Sequence, residues 1–151
     1  MAASSIAAEH RFVVGVDGSE PSKAALRWAA RLAEATGGTI EAVTAWQMPV
    51  TFGWAYVPDY HPDQDATKIL AEAVEAVFGA NRPAGMRLSV DEGNPAKVLL
   101  EHSAGAQMLI VGSRGHGGFV GLLLGSVSAN CAEHATCPVL VIHGTTEVGN
   151  P

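Results

Sequence analysis

Five short apolar runs alternate with four amphipathic stretches along this chain, and this alternation limits its possible folds more than any other feature. Each run is bounded by turn-forming residues, as is typical of buried strands. The runs are RFVVGV, TIEAVTAW, MRLSV, QMLIVG and CPVLVIH. The alternation predicts an α/β domain with a five-stranded, mainly parallel sheet, for which we infer the strand order 3-2-1-4-5. Because crossovers are right-handed, helices should cover both faces.

The stretches between the strands carry helix signals. Ser19 is placed to cap the first helix, and Pro21 lies in its first turn. Asn94 and Pro95 begin the third helix in the same way, and Ser126 is expected to cap the fourth. The second, DQDATKILAEAVEAVFGA, has the apolar spacing of an amphipathic helix. Apolar and polar residues alternate more regularly in the third strand than in the others, so the third strand is expected at a sheet edge.

Length, charge and hydropathy narrow the class of protein. The 151 residues favour one domain over residues 11–143, with a disordered tail at 1–10 and a second tail at 144–151. The net charge is −6 and the nine Lys and Arg are scattered, which argues against a duplex nucleic-acid binder. The chain shows no signal-peptide pattern and no apolar run of the ~20 residues that span a bilayer. We therefore expect a cytoplasmic protein that contacts no membrane.

The cysteines and three of the histidines are expected to be packing residues. Cys131 and Cys137 have neither the CxxC spacing of a redox pair nor the paired spacing of a zinc site. They are expected near the last helix and strand. His102, His134 and His143 likewise have no evident ligand partners.

The segment VGSRGHGGFVGLLLGS, residues 111–126, contains six glycines and no lysine. Two residues separate Gly112 from Gly115, nine separate Gly115 from Gly125, and a helix begins near Ser126. Glycine lets backbone approach a ligand closely, and a helix start adds unpaired N–H groups and the positive end of the dipole. The segment therefore predicts an anion cradle, which is not a Walker A loop because Gly-Lys-Ser/Thr is absent from the sequence. In a sheet of this order the crevice lies between VGVDGS and VGSRG.

This glycine spacing resembles the ATP-binding signature of the universal stress protein family. VVGVDGSEPSKAAL is similar to the first strand and turn of that family, VTAW to the end of its second strand, and LLLGSVSANCAEHATCPVLVIH to its closing helix and strand. The resemblance covers residues 11–143. It implies an adenine nucleotide alpha hydrolase-like, Rossmann-like fold and a bound adenine nucleotide.

The resemblance also implies a contact for each matching position. Asp17 is placed near the ribose or a phosphate-bound Mg²⁺, and Ala45 touches adenine through its backbone. The other implied contacts are Gly15 and Val16 under the nucleoside, Val111, Gly112, Arg114 and Gly115 along the ribose and phosphates, and Gly125, Ser126, Val127 and Ser128 at the phosphate tail.

The implied function is a stress-response ATP-binding protein that acts as a nucleotide-dependent switch or reservoir. We expect slow or no hydrolysis and no catalytic residue. Two alternatives remain, namely AMP or cyclic AMP in the same crevice, and a nucleotide-free interaction module in which the glycine loop only packs. Asp17, before a glycine, can equally form a turn. Arg114 can equally form a surface ion pair, and His116 is interpreted as a loop residue.

The last strand is expected to form a homodimer. Pro138–His143 lies at a sheet edge in the predicted order, and residues 139–142 are four consecutive apolar residues without a protective lysine. An antiparallel pair across a two-fold axis would satisfy the edge of each copy. Dimerisation through this strand is also implied by the resemblance. The alternative is that residues 144–151 fold back and cover the edge.

Overall fold

The computed structural model describes residues 10–48, 60–114 and 124–143. Its strands and helices alternate as the sequence predicts. In chain order they are β1 (Arg11–Gly15), α1 (Glu20–Thr36), β2 (Thr39–Trp46), α2 (Pro62–Phe78), β3 (Arg87–Glu92), α3 (Pro95–Ser103), β4 (Met108–Gly112), α4 (Ser126–His134) and β5 (Val139–Ile142).

The strands form one sheet in the order β3-β2-β1-β4-β5, and every neighbouring pair is parallel. The predicted fold class and strand order are therefore confirmed, and β3 lies at an edge as its alternating pattern indicates. Within the described residues, no helix is long and apolar enough to cross a bilayer. The tails predicted at 1–10 and 144–151 lie outside the described residues, except for His10.

Alternate residues of the central strands enter two separate cores, one on each face of the sheet. Phe12 and Val14 of β1 pack under α1 and α2, together with Leu26 and Leu70. Val13 packs on the opposite face with residues of α3 and α4. Because both faces of a parallel sheet are covered, the interiors of β1 and β4 are apolar throughout, which explains the continuous apolar runs FVV and MLIV of the sequence.

Two of the three predicted helix caps are confirmed. The Ser19 side chain accepts a hydrogen bond from the Ser22 amide at 3.3 Å, and Asn94 accepts one from the Lys97 amide at 3.3 Å. The prediction for Ser126 is wrong, since Gly125 occupies the cap position of α4 and Ser126 is its first helical residue. Gly125 has extended backbone and no side chain with which to cap.

The two cysteines are packing residues, as expected. Cys131 of α4 is fully buried and Cys137 packs against the same core. Burial is the larger cause, and the neighbouring Cys137 the smaller one, of a rise in the pKa of the Cys131 thiol from 9.0 to about 11. The Cys131 thiol is therefore protonated at neutral pH, as suits an apolar core residue.

A polar cluster that the sequence did not reveal ties β1, β2, β3 and α3 together. Glu41 is 8% exposed and accepts hydrogen bonds from Arg11 at 2.9 Å and from Ser89 at 3.0 Å. His102 Nδ1 lies 3.3 Å from the same carboxylate, and its Nε2 contacts Asp91. His102 is thus held between two carboxylates. His102 therefore joins a hydrogen-bonded polar cluster, which is more than the packing role expected from the sequence.

We predict that Glu41→Gln lowers the free energy of unfolding by about 2 kcal/mol, because removing one charge of a mostly buried cluster leaves its partners uncompensated. Urea unfolding measures the loss. Glu72→Gln is the matched control, since Glu72 pairs with Lys68 at 3.8 Å with both side chains mostly exposed. An exposed pair of this kind contributes little. Equal losses in the two variants would contradict the structural role of Glu41.

Candidate functional site

A cleft of about 760 Å³ opens at the carboxyl ends of β1, β2 and β4, where the strand order reverses. This is the position at which ligands bind open α/β sheets, and the volume falls in the ~300–1,000 Å³ range of small-molecule sites. The structure brings the sequence-predicted contact residues together in its lining: Gly15, Val16, Asp17, Ala45, Val111, Gly112, Arg114, Gly125, Ser126, Val127 and Ser128. Gly115 and His116 lie outside the described residues.

Several lining residues were not predicted from the sequence. The N-terminal part of α2 contributes Pro62, Asp65, Ala66 and Ile69. Ile69 belongs to the apolar side of this amphipathic helix, yet 38% of it is exposed. The remaining unpredicted lining residues are Ser19, Ser22, Val43, Thr44, Trp46, Gln47, Tyr60, Pro95 and Leu99. A helical pattern shows which side of a helix is apolar and leaves open what that side faces.

Asp17 follows β1 and organises the turn into α1. Its Oδ1 accepts hydrogen bonds from the Ser19 amide at 2.9 Å and from the Ser19 hydroxyl. The Asp17 amide in turn donates to Ser22 Oγ at 3.4 Å. The interpretation of Asp17 as a turn former is therefore correct, and Asp17 also lines the cleft. The two roles are compatible because a carboxylate has further lone pairs.

The start of α4 is fixed to the end of β4 by hydrogen bonds. The Gly125 amide donates to Ser113 O at 2.7 Å, and the buried Ser128 hydroxyl donates to the same oxygen at 2.8 Å. This arrangement directs the first turn of α4 into the cleft, with Ser126 exposed. The amides of a first helical turn have no intrahelical acceptor and carry the positive end of the helix dipole. This end of the cleft is therefore suited to an anion.

Helix packing requires a glycine at one position in the cleft floor and crowds a second. A Cβ on Gly112 would lie 2.6 Å from the Pro21 Cβ and 2.9 Å from the Pro21 carbonyl carbon. On the opposite face, a Cβ on Gly15 would lie 2.8 Å from Leu99 Cδ1, which is the end of a flexible side chain and is able to move. Gly112 is not among the described glycines with positive φ. Close contact with α1 therefore explains Gly112 directly, in addition to the ligand approach expected from the sequence.

Charged groups are few in the described part of the cleft. Its lining holds the carboxylates Asp17 and Asp65 and the guanidinium of Arg114. Over the described ranges, no three His, Cys, Asp or Glu side chains are grouped so that they could hold a metal ion.

Comparison with known proteins establishes the family. The sequence model of the universal stress protein family matches residues 9–143. The chain belongs to the universal stress protein family. A universal stress protein of Mycobacterium tuberculosis is 34% identical over 148 residues, which cover 93% of this chain and 50% of that protein. This chain thus spans about half the length of the mycobacterial relative.

Other universal stress proteins match over most of their length. The universal stress protein YxiE of Bacillus subtilis is 29% identical over 145 residues, covering 88% of this chain and 98% of that protein. A universal stress protein solved in complex with cAMP has a TM-score of 0.67 and 28% identity, covering 88% of this chain and 96% of the other. The Archaeoglobus fulgidus universal stress protein solved with dAMP has a TM-score of 0.61 and 23% identity over 87% and 96% of the two chains.

We predict that Gly112→Ala lowers the free energy of unfolding by about 3 kcal/mol, since the added methyl group overlaps the backbone of α1. The control is Gly105→Ala, because a Cβ at Gly105 meets nothing within 4 Å and only its φ of 78° is unfavourable. That strain costs about 1 kcal/mol. Thermal or urea unfolding compares the two. A Gly112 variant as stable as the Gly105 variant would disprove the packing requirement.

Proposed function

We propose that this universal stress protein binds ATP, with an associated Mg²⁺, and acts in the stress response as a nucleotide-dependent switch or reservoir in the cytoplasm. The observation that carries the proposal is the convergence of the predicted contact residues on one cleft at the strand-order reversal. A universal stress protein of the same fold, solved with cAMP, supports an adenine nucleotide.

In the proposed complex, the phosphates lie at the first turn of α4, residues 125–128, with Arg114 beside them. Backbone amides and a helix dipole suffice for this without a lysine. The base lies at the end of β2, where Ala45 offers its backbone. Asp17, which follows β1, lies between these positions, near the ribose. Asp17 supplies a carboxylate oxygen, which fits Mg²⁺ held mainly by phosphates.

AMP or cyclic AMP is the second candidate ligand. The first turn of α4 supplies amides to any phosphate, and the solved cAMP complex of a family member favours this possibility. ATP would be preferred if Arg114 and the amides of α4 contact different phosphates. Competition of ATP with AMP and cyclic AMP for the same protein separates the candidates.

Hydrolysis is proposed to be slow or absent. Phosphoryl transfer to water needs a positioned water and neutralisation of the developing charge. Among the described lining residues, the carboxylates are Asp17 and Asp65. Asp17 Oδ1 is engaged by Ser19, and Asp65 lies on α2, away from α4. A binding protein that retains its nucleotide accounts for these features better than an ATPase does.

We predict that Ser126→Asp abolishes micromolar ATP binding while the fold is retained. A carboxylate at the first helical position interacts favourably with the helix dipole, so α4 should not unfold. The same carboxylate repels phosphate by about 4 kcal/mol per charge at ~4 Å and an effective dielectric constant of 20. Titration calorimetry measures the affinity, and chromatography of the recovered nucleotide should show intact ATP.

Asn130→Asp is the control for this experiment. It adds the same charge one turn further along α4, at an exposed residue outside the cleft lining. ATP affinity should stay within a few-fold of the wild type. Equal affinities of wild type and Ser126→Asp would remove α4 from the phosphate site, and a wild type that binds no adenine nucleotide would contradict the proposed function.

We also propose a homodimer through β5, at Pro138–His143. The Leu109 amide donates to Pro138 O and the Ser113 amide to Ile142 O, so these residues face β4. Because backbone groups alternate along a strand, those of Val139 and Val141 face the outer edge of the sheet. An antiparallel second copy would pair with these groups.

We predict that Val141→Pro converts the dimer to a monomer. The substitution removes an outward N–H, and proline is tolerated at an edge where no ladder bond is lost. The control Val141→Thr keeps the N–H and the β-branched shape, and should stay dimeric. Light scattering after size exclusion measures the mass at micromolar concentration. A monomeric wild type, or a Val141→Pro variant that remains dimeric, would contradict the proposed interface.

A further inference from the structure

The two ends of the cleft differ in chemistry. The end at β4 offers Arg114 and the first turn of α4, whereas the end at β2 and α2 offers Ala45, Ile69 and Asp65. Neighbouring strands are about 4.8 Å apart, so β2 and β4, which flank β1, are roughly 10 Å apart. The cleft therefore favours the charge of an elongated anion at its β4 end and offers a mainly apolar surface at its β2 end.

Asp65 is the one described ionisable side chain that α2 places in the cleft lining. It lies in the first turn of α2, where its amide donates to His61 O at 3.0 Å. The following residue, Ala66, is buried, with 4% of it exposed, which anchors this turn. Of the described residues, none donates a hydrogen bond to the Asp65 carboxylate. Asp65 is thus an acceptor positioned on a rigid element.

Asp65 is exposed to water in the open cleft, so a nucleotide that covers its carboxylate must replace water with a hydrogen-bond donor of its own. At the end of a nucleotide opposite its phosphates, that donor is an exocyclic amino group of the base. Resting on the proposed function, we infer that Asp65 accepts a hydrogen bond from the amino group of adenine. Asp65 is then a residue that determines which base is bound.

This role has a consequence for base selection. Hypoxanthine and guanine have a carbonyl oxygen where adenine has its amino group, so the same pose would set that oxygen against the carboxylate. ITP and GTP should bind more weakly than ATP. Unsubstituted purine, which has only hydrogen at this position, should lose the hydrogen bond without gaining a repulsion.

The experiment compares ATP with purine riboside triphosphate on wild type, Asp65→Ala and Asp63→Ala. Asp63 also lies in the first turn of α2 and is exposed, but it lines a different pocket and not this cleft. Its replacement therefore controls for the loss of one negative charge and for the helix dipole. Titration calorimetry gives the affinities, and thermal unfolding verifies that each variant is folded.

We expect wild type and Asp63→Ala to bind ATP about tenfold more tightly than purine riboside triphosphate, as one charge-assisted hydrogen bond would produce. In Asp65→Ala this preference should disappear through weaker ATP binding. The same preference in all three proteins would overturn the inference, as would tighter ATP binding by Asp65→Ala, which would show that Asp65 acts only as a repulsive charge.

A second measurement needs no variant. ATP carrying two methyl groups on its amino nitrogen keeps the ring and loses both donors, so it should bind wild type at least about tenfold more weakly than ATP. Equal binding would overturn the role of Asp65 while leaving the proposed function intact. Failure of wild type to bind any of these triphosphates would instead contradict the proposed function itself.

Discussion

Close approach of α1 to the end of β4 is the constraint on which the rest of this structure depends. Pro21 in α1, including its backbone carbonyl carbon, occupies the space where Gly112 would carry a side chain, whereas at Gly15 the corresponding space is filled only by the movable end of the Leu99 side chain. Interiors packed to this density cannot absorb even one methyl group without movement. The floor of the cleft at β4 is therefore set by helix packing, and backbone there is exposed to a ligand because α1 excludes a side chain at Gly112.

The ends of the cleft acquire their chemistry from different elements. Ser113, at the end of β4, accepts hydrogen bonds from Gly125 and Ser128, which fixes the direction of α4 and places its positive end in the cleft. The turn of Asp17 fixes the start of α1 in a similar way. At the other end α2 contributes apolar surface and Asp65. A nucleotide, which has an anionic end and an aromatic end with hydrogen-bonding edges, matches this polarity.

The wall formed by α3 depends on a contact far from the cleft. Pro95 and Leu99 line the cleft, while His102 at the other end of the same helix is held by Glu41. Glu41 also accepts a hydrogen bond from Arg11, which additionally donates to the backbone of His102 at 2.7 Å. One buried carboxylate on β2 thus joins β1 and α3, and through Ser89 also β3. Removing one partner of such a mostly buried charge is strongly destabilising.

The sequence by itself determined the order and kind of the elements and the parallel sheet, because burial periodicity and caps are local patterns. The predicted cleft contacts came from the resemblance of its motifs to those of the universal stress proteins. It misplaced one cap, assigning to Ser126 the position that Gly125 holds. Only the tertiary structure decided that Gly112 faces α1, that His102 lies between two carboxylates and that Asp65 lines the cleft. These contacts join residues that are distant along the chain. The packing of helices onto the sheet decides which distant surfaces meet. A local sequence pattern shows only which side of each helix is apolar.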